Sequence, residues 1–163
     1  FFSYTVMEFE EVYKTYWQKI FRLCMGYVNN FELAQDIAQE TFITIWQQLP
    51  NFRKEATIGT WIFRIAVNNC LRQIEKEKRI VKTNFPLYIK EEVNESIEPK
   101  IQLLYQFISE LPETDRLIIS LELEDVKQAE IAHIIGISEA NVRVKIHRIK
   151  EKLTLKFKTH EQR

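Results

Sequence analysis

Four cations and an amide fall close together near the C-terminal end of the sequence: Asn141, Arg143, Lys145, Arg148 and Lys150. Arg and Lys bind phosphate oxygens, and Arg and Asn also donate hydrogen bonds to the edges of bases. The chemistry that these residue types could perform is binding to a nucleic acid. It requires an element that presents them on one side.

Residues 130–150 have the pattern of two helices joined by a tight turn. Gly136 can adopt the left-handed backbone conformation that ends a helix, where a side chain would cost about 1 kcal/mol or more. Ser138 then stands at the N-cap position of the second helix. Ala132, four residues before the glycine, lets the helices approach, and Val142, six residues after it, fills their junction. This spacing predicts a helix-turn-helix.

The second of these helices, from Ser138 to about Lys156, has one apolar and one polar side on a helical wheel. The apolar side groups Val142, Ile146, Ile149 and Leu153. The opposite side carries Ala140, Val144, His147, Arg148 and Glu151, flanked by Asn141, Arg143 and Lys150. We interpret it as a helix held to a core on one side and offering donors and cations on the other. The alternative is a solvated basic helix that binds nothing.

A second basic helix is predicted from Thr60, a candidate N-cap, to about Arg79. Its apolar side holds Ile62, Phe63, Ala66, Cys70 and Ile74, and its other side holds Trp61, Arg64, Asn68, Arg72 and Arg79. Cations that bind phosphates, an amide that contacts base edges and an aromatic that stacks are what opened DNA requires. The alternative for Trp61 is a half-buried indole. The polar segment NFRKEATIG before the helix could form a pocket for an unstacked base.

The helix before that one, which ends near Pro50, carries a small patch opposite its apolar side. Asp36, Glu40, Ile43 and Gln47 follow at i, i+4, i+7 and i+11. An apolar anchor with a charged rim is typical of a protein-binding surface. The alternative is an ordinary solvated face with one stray Ile.

Helical spacing also covers Phe9 to Tyr27 and returns from Ile101 onwards, whereas residues 81–98 lack periodicity. The sequence therefore predicts an all-α fold: two small helical domains joined by a flexible linker, the C-terminal one with a helix-turn-helix. Three glycines and four prolines fit helices better than a turn-rich β fold. Residues 61–80 hold five cations and two acids, and residues 127–163 hold nine cations and four acids, in a chain of net charge zero.

Several classes of protein are disfavoured. No Gly-rich phosphate loop, nucleophile elbow or acid/base couple is evident, so we expect no catalytic residues and no cofactor. The three histidines lack metal-ligand spacing, and we expect no metal site. Cys24 and Cys70 are expected to be buried thiols of a reduced, cytoplasmic protein. No apolar run is long enough to insert into a membrane. The opening FFSYTV is not expected to be a secretory signal, and Met7 is a candidate native start.

Four stretches, in this order and spacing, resemble the sigma factors of bacterial RNA polymerase, specifically their compact extracytoplasmic-function group. They are DIAQETFITIW, FRKEATIGTWIFRIAVN, LPETDR and EIAHIIGISEANVRVKIHR. Lys54 stands where the family usually has Gly, Ile58 where it usually has an aromatic, and Val144 where it often has Ser. No further domain is expected after the last helix.

The resemblance implies a division of labour along the chain. Residues 7–80 would bind core RNA polymerase, through the clamp of its β′ subunit, and the promoter −10 element; residues 81–98 would be the linker; and residues 99–160 would bind the −35 element. Contacts with the flap of the β subunit and a probable anti-sigma factor are further implied partners.

The implied site residues fall into three sets. Polymerase binding is assigned to Asp36, Gln39, Glu40, Ile43 and Gln47; −10 binding to Trp61, Arg64, Asn68, Arg72 and Arg79; and −35 binding to Ser138, Asn141, Arg143, Val144, His147, Arg148 and Lys150. The expected function is a sigma factor that directs polymerase to promoters and promotes −10 melting. The alternative is a stand-alone dimeric helix-turn-helix regulator.

Overall fold

The computed structural model describes the backbone of residues 2–82 and 98–163, and the side chains of residues 8–73 and 98–163. Within those ranges the chain forms seven α helices and one 3-10 turn, and no strand. The helices are α1 (Phe2–Val28), α2 (Phe31–Gln48), α3 (Ile58–Lys82), α4 (Pro99–Ser109), α5 (Glu113–Leu123), α6 (Gln128–Ile135) and α7 (Glu139–Glu161). The predicted all-α class is confirmed; most of the predicted linker lies outside the described residues.

Local chemistry explains where α2 and α3 begin. The Asn30 side chain accepts a hydrogen bond from the Leu33 N–H at 2.9 Å and caps α2. The prediction that Thr60 caps α3 is wrong. The Oγ1 of Thr57 accepts from the Thr60 N–H at 3.3 Å, and Thr60 itself is buried inside the first turn. A cap must precede the first helical residue, and Thr57 is the threonine that does so.

The first three helices form the N-terminal domain. One side of α1 packs on α2 and α3 through buried side chains that include Ile20, Leu23 and Cys24. The Cys24 and Cys70 sulfurs lie 3.9 Å apart, and both thiols are fully buried, as predicted. Burial and the neighbouring thiol raise the pKa of Cys24 well above its ordinary value, the hydrogen bond to Cys70 being the larger cause.

Helices α4 to α7 form the C-terminal domain, and it packs directly on α1. The Arg22 guanidinium on α1 donates to both carboxylate oxygens of Glu124, which follows α5, at 2.6 and 2.8 Å. Arg116 on α5 donates to the backbone carbonyl of Tyr27 at 2.9 Å, and its guanidinium carbon lies 4.9 Å from the centre of the Tyr27 ring. A Cβ on Gly26 would meet the Ser120 hydroxyl at 2.1 Å, so only glycine allows this approach.

We call these α1–α5 contacts the seam. Helices α3 and α6 also touch, and the buried side chains of both domains form one continuous apolar core. The sequence predicts the two helical units but not this contact between them. Among the described helices none is long and apolar enough to cross a membrane.

Candidate nucleic-acid and protein interfaces

The helix-turn-helix of α6 and α7 forms as the sequence predicts. Gly136 adopts a φ of 86°, and its N–H donates to the Ala132 carbonyl at 2.8 Å, which ends α6. The Ser138 hydroxyl accepts from the Asn141 N–H at 3.1 Å and caps α7. Val142 is fully buried at the junction of the two helices. These contacts fix the angle between α6 and α7.

The two sides of α7 are separated by burial. The predicted apolar side of α7 is confirmed, because Val142, Ile146, Ile149 and Leu153 are all buried. The proposed DNA-contacting residues are all exposed: Ser138, Asn141, Arg143, Val144, His147, Arg148 and Lys150. Val144 is an apolar side chain that remains 47% exposed. The helix therefore presents a mixed polar, cationic and apolar surface of the kind that fits a major groove.

Three of these side chains already have acidic neighbours. Lys150 Nζ lies 3.1 Å from a carboxylate oxygen of Glu122 on α5. His147 faces Glu151 at 3.2 Å and Arg143 faces Glu139 at 3.9 Å, each pair one turn apart on α7. Pairs this exposed contribute little to stability, so a phosphate can replace the carboxylate at small cost.

The outer face of α3 carries the second set of candidate DNA contacts. Asn68 and Arg72 are exposed, and Arg64 is half-buried. Trp61 is half-buried, with its ring centre 4.9 Å from that of Phe52 in the preceding loop. The indole is thus half-buried, as in the alternative considered from the sequence, and part of its surface stays accessible. Of Arg79 and Ile74 only the backbone is described, within α3.

The loop before α3 contains one strained residue. Lys54 has a φ of 56°, in the left-handed region that costs most side chains about 1–2 kcal/mol. It occupies the position where the resemblance leads one to expect Gly. A cation therefore occupies a left-handed backbone position two residues after the half-buried Phe52.

The outer face of α2 carries the candidate protein-binding patch. All of its assigned residues are exposed: Asp36, Gln39, Glu40, Ile43 and Gln47. Ile43 is 56% exposed, and neighbouring Trp46, packed edge-on against Phe9, is 37% exposed. Two acids around an unburied aliphatic side chain form a surface that suits a basic, partly apolar partner.

The sequence analysis did not predict the polar contacts between helices, and two of them stand out. One is Arg22–Glu124, whose members are 102 residues apart in sequence. The other joins α2 to α3, where the Asn69 side-chain amide donates to the Thr41 hydroxyl at 3.0 Å. Asn69 adjoins Asn68 and is 6% exposed. Its place on the apolar side of α3, beside Cys70, was the available signal that one of the two asparagines is buried.

Among the described residues, no group of three or more His, Cys, Asp or Glu side chains could hold an ion.

The tyrosines with perturbed pKa values lie near the contact between domains. Burial raises the pKa of Tyr16, with a smaller contribution from Glu130, and burial together with Glu124 raises that of Tyr105.

Both domains match descriptions of known protein families. "Sigma-70 region 2" matches residues 12–80, and "Sigma-70, region 4" matches residues 101–153. The ECF RNA polymerase sigma factor SigW of Bacillus subtilis is 29% identical over 161 residues, covering 89% of this chain and 86% of that protein. The ECF RNA polymerase sigma-E factor of Escherichia coli is 32% identical over 152 residues, covering 83% of this chain and 79% of that protein.

Solved structures share the fold. The sigma factor RpoE of Bartonella quintana, crystallised with the anti-sigma factor NepR, has a TM-score of 0.79 at 17% identity, covering 93% of this chain and 97% of that one. CnrH, in complex with the cytosolic domain of CnrY, has a TM-score of 0.66 at 18% identity, covering 93% and 88%.

Proposed function

Because the chain belongs to the extracytoplasmic-function family of RNA polymerase sigma factors, we propose that it binds core RNA polymerase, directs it to specific promoters and promotes opening of the −10 region. The observation that carries this proposal is the exposed face of α7 on a complete helix-turn-helix. A second basic face on α3 and an acidic patch on α2 supply the other two activities that such a factor needs. All of these lie on described helices.

The C-terminal domain, residues 99–160, would bind the −35 element. In this proposal α7 enters a major groove, with Asn141 and Arg143 near base edges and Lys150 on a phosphate. Ser138, Val144, His147 and Arg148 complete the surface. The exposure of all seven residues supports this assignment, and the buried apolar side of α7 provides the rigid support.

The N-terminal domain, residues 7–80, would bind polymerase and the −10 element. The α2 patch would contact the clamp of the β′ subunit. On α3, Arg64, Arg72 and Arg79 would contact the backbone of opened DNA, Asn68 a base edge, and Trp61 an unstacked base. Phosphate contacts set register and base contacts set sequence preference.

Regulation by an anti-sigma factor is a further part of the proposal. Two structures that share the fold were solved as complexes with a second protein, and in the RpoE complex that protein is named as an anti-sigma factor. The proposed site of action is the cytoplasm, where polymerase transcribes. A contact between the C-terminal domain and the flap of the β subunit is proposed on family grounds. No catalytic role is proposed for any residue.

Transcription by core polymerase on a library of promoter fragments, with and without the protein, tests the function. We expect a distinct set of transcripts only when the protein is present. A matched variant, Arg143→Ala/Arg148→Ala, should lose that set while still co-purifying with polymerase. Identical transcripts with and without the protein would contradict the proposal. Polymerase-independent binding of the chain to a palindromic duplex would instead support a dimeric helix-turn-helix regulator.

A further inference from the structure

A chain of hydrogen bonds runs from the interior of α2 to the DNA-facing side of α3. The Thr41 hydroxyl donates to the Ile37 carbonyl at 2.8 Å. The Asn69 amide donates to the Thr41 hydroxyl at 3.0 Å, and the Asn69 carbonyl oxygen accepts from the Arg72 guanidinium at 2.5 Å. Thr41 and Asn69 each accept one of these hydrogen bonds and donate another, so the three bonds strengthen one another. The chain ends at an exposed cation.

The residues that form the chain are poor choices for packing alone. Thr41 is fully buried and Asn69 is 6% exposed, in a contact otherwise made by apolar side chains. Asn is a weak helix former, and a buried amide gains nothing over an apolar side chain of its size unless its hydrogen bonds are made. A leucine at this position would pack α3 against α2 without any polar requirement. The amide therefore needs a reason that packing does not give.

Arg72 supplies that reason. A free Arg side chain loses considerable rotamer freedom when it binds a phosphate or a base. The Asn69 oxygen holds the Arg72 guanidinium through one of its five N–H groups and leaves the others available. Because Asn69 is itself fixed by Thr41, the guanidinium is held from a rigid point one turn away on the same helix.

We infer that Asn69 is a positioning residue for promoter binding, which acts by holding Arg72 in its DNA-binding orientation with Thr41 as its support. This inference rests on the proposed function, in which Arg72 contacts the −10 region. It adds that the affinity for promoter DNA depends on Asn69, a side chain that does not itself contact DNA. It also gives α2, the proposed polymerase-binding helix, a direct link to a DNA contact.

A double-mutant cycle on the full-length protein in complex with core polymerase tests this inference. Asn69→Leu keeps the branching and the number of side-chain heavy atoms but removes the acceptor, and Arg72→Ala removes the cation. The probe is a promoter duplex that the unaltered holoenzyme has selected from the library. Asn69→Leu should weaken binding about 3- to 10-fold, the cost of ordering one long side chain. In the Arg72→Ala background it should have no further effect.

Variants of Thr41 extend the test to the supporting residue. Thr41→Val, which keeps the shape but removes the hydroxyl, should weaken promoter binding in the same direction as Asn69→Leu. Thr41→Ser, which keeps the hydroxyl, should restore it. Thermal unfolding of every variant identifies any effect that arises from loss of fold. If Asn69→Leu is not folded, Thr41→Val carries the cycle with Arg72→Ala.

The possible outcomes distinguish the proposed DNA contact of Arg72 from the positioning role inferred for Asn69. If Asn69→Leu weakens binding equally with and without Arg72, Asn69 acts on the fold and the inference is overturned. If Arg72→Ala alone changes nothing, both the proposed −10 contact of Arg72 and the inference fail, while the roles of α7 and α2 stand. If Arg72→Ala weakens binding and Asn69→Leu does not, the inference alone fails.

Discussion

Arg22 and Glu124 join the two domains through paired hydrogen bonds. Nε and Nη2 of the guanidinium lie 2.6 and 2.8 Å from the two carboxylate oxygens. The Glu124 side chain is only 7% exposed, whereas that of Arg22 is 46% exposed. This planar, two-pronged geometry is the strongest form that a contact between Arg and a carboxylate takes. It makes the pair the principal polar contact of the seam.

Glu124→Gln should weaken the seam, because it removes the charge while keeping the size of the side chain. The free energy of unfolding should fall by about 1–3 kcal/mol, as for the loss of hydrogen bonds to a charged group. Denaturant titration measures it. The control is Glu139→Gln, whose partner Arg143 is 3.9 Å away on the surface and whose loss should change stability by less than about 0.5 kcal/mol. Equal effects of the two substitutions would show that the seam pair is not special.

Tyr105 should make stability fall at high pH. Burial first, and then the Glu124 carboxylate, raise its pKa above the ordinary value of 10.0, while Arg22 opposes them. Above about pH 10 the unfolded chain therefore loses this proton before the folded chain does, so rising pH favours unfolding. Tyr105→Phe should reduce the decline in stability above pH 10 and leave the slope below pH 9 unchanged. An unchanged decline at high pH in the variant would contradict the assignment.

The α2 patch should be needed for polymerase binding. Reversing both acids, in Asp36→Lys/Glu40→Lys, should weaken binding to core polymerase by roughly 2–4 kcal/mol if the patch is central. The control places the same charge change on exposed positions of α1, in Glu10→Lys/Glu11→Lys. Pull-down and competition with a labelled parent protein measure both. The full chain is used because the two domains share one apolar core. Equal retention of the two variants would sink the assignment.

Val144 should determine part of the −35 preference. Its exposed methyl groups can pack on the methyl group of a thymine in the major groove. Val144→Ser should lower the preference for thymine at one −35 position, by about 1 kcal/mol, and leave the fold intact. Leu155→Ser is the control, since Leu155 is 66% exposed on the same helix three turns further on. Binding-site selection that returns one sequence for parent and variant would show that the thymine contact is not made.

Features with a local cause could be predicted from the sequence, and α7 is the clearest case. Its buried side, its Ser138 cap and the left-handed Gly136 follow from spacing and from the chemistry of single residues. The Thr57 cap was missed because two threonines within three residues offer the same hydroxyl, and only the helix start distinguishes them. The seam was missed for another reason. Neither Arg22 nor Glu124 indicates its partner, because the contact depends on how two complete domains pack.

The contact between the two domains has a further consequence, because the protein is small compared with the distance between the −10 and −35 elements. Helix α1, with 27 residues, is about 40 Å long at about 1.5 Å per residue. Sites about 25 base pairs apart, as −10 and −35 elements are, lie about 85 Å apart along a duplex that rises about 3.4 Å per pair. In the proposed function α3 binds the −10 element and α7 the −35 element, but α3 packs against α6, the neighbour of α7, in this structure. If the chain occupies both elements, as proposed, Arg22 would have to separate from Glu124 and Gly26 from Ser120. The free energy of the seam contacts would then be a cost of promoter binding that the contacts with polymerase and DNA offset.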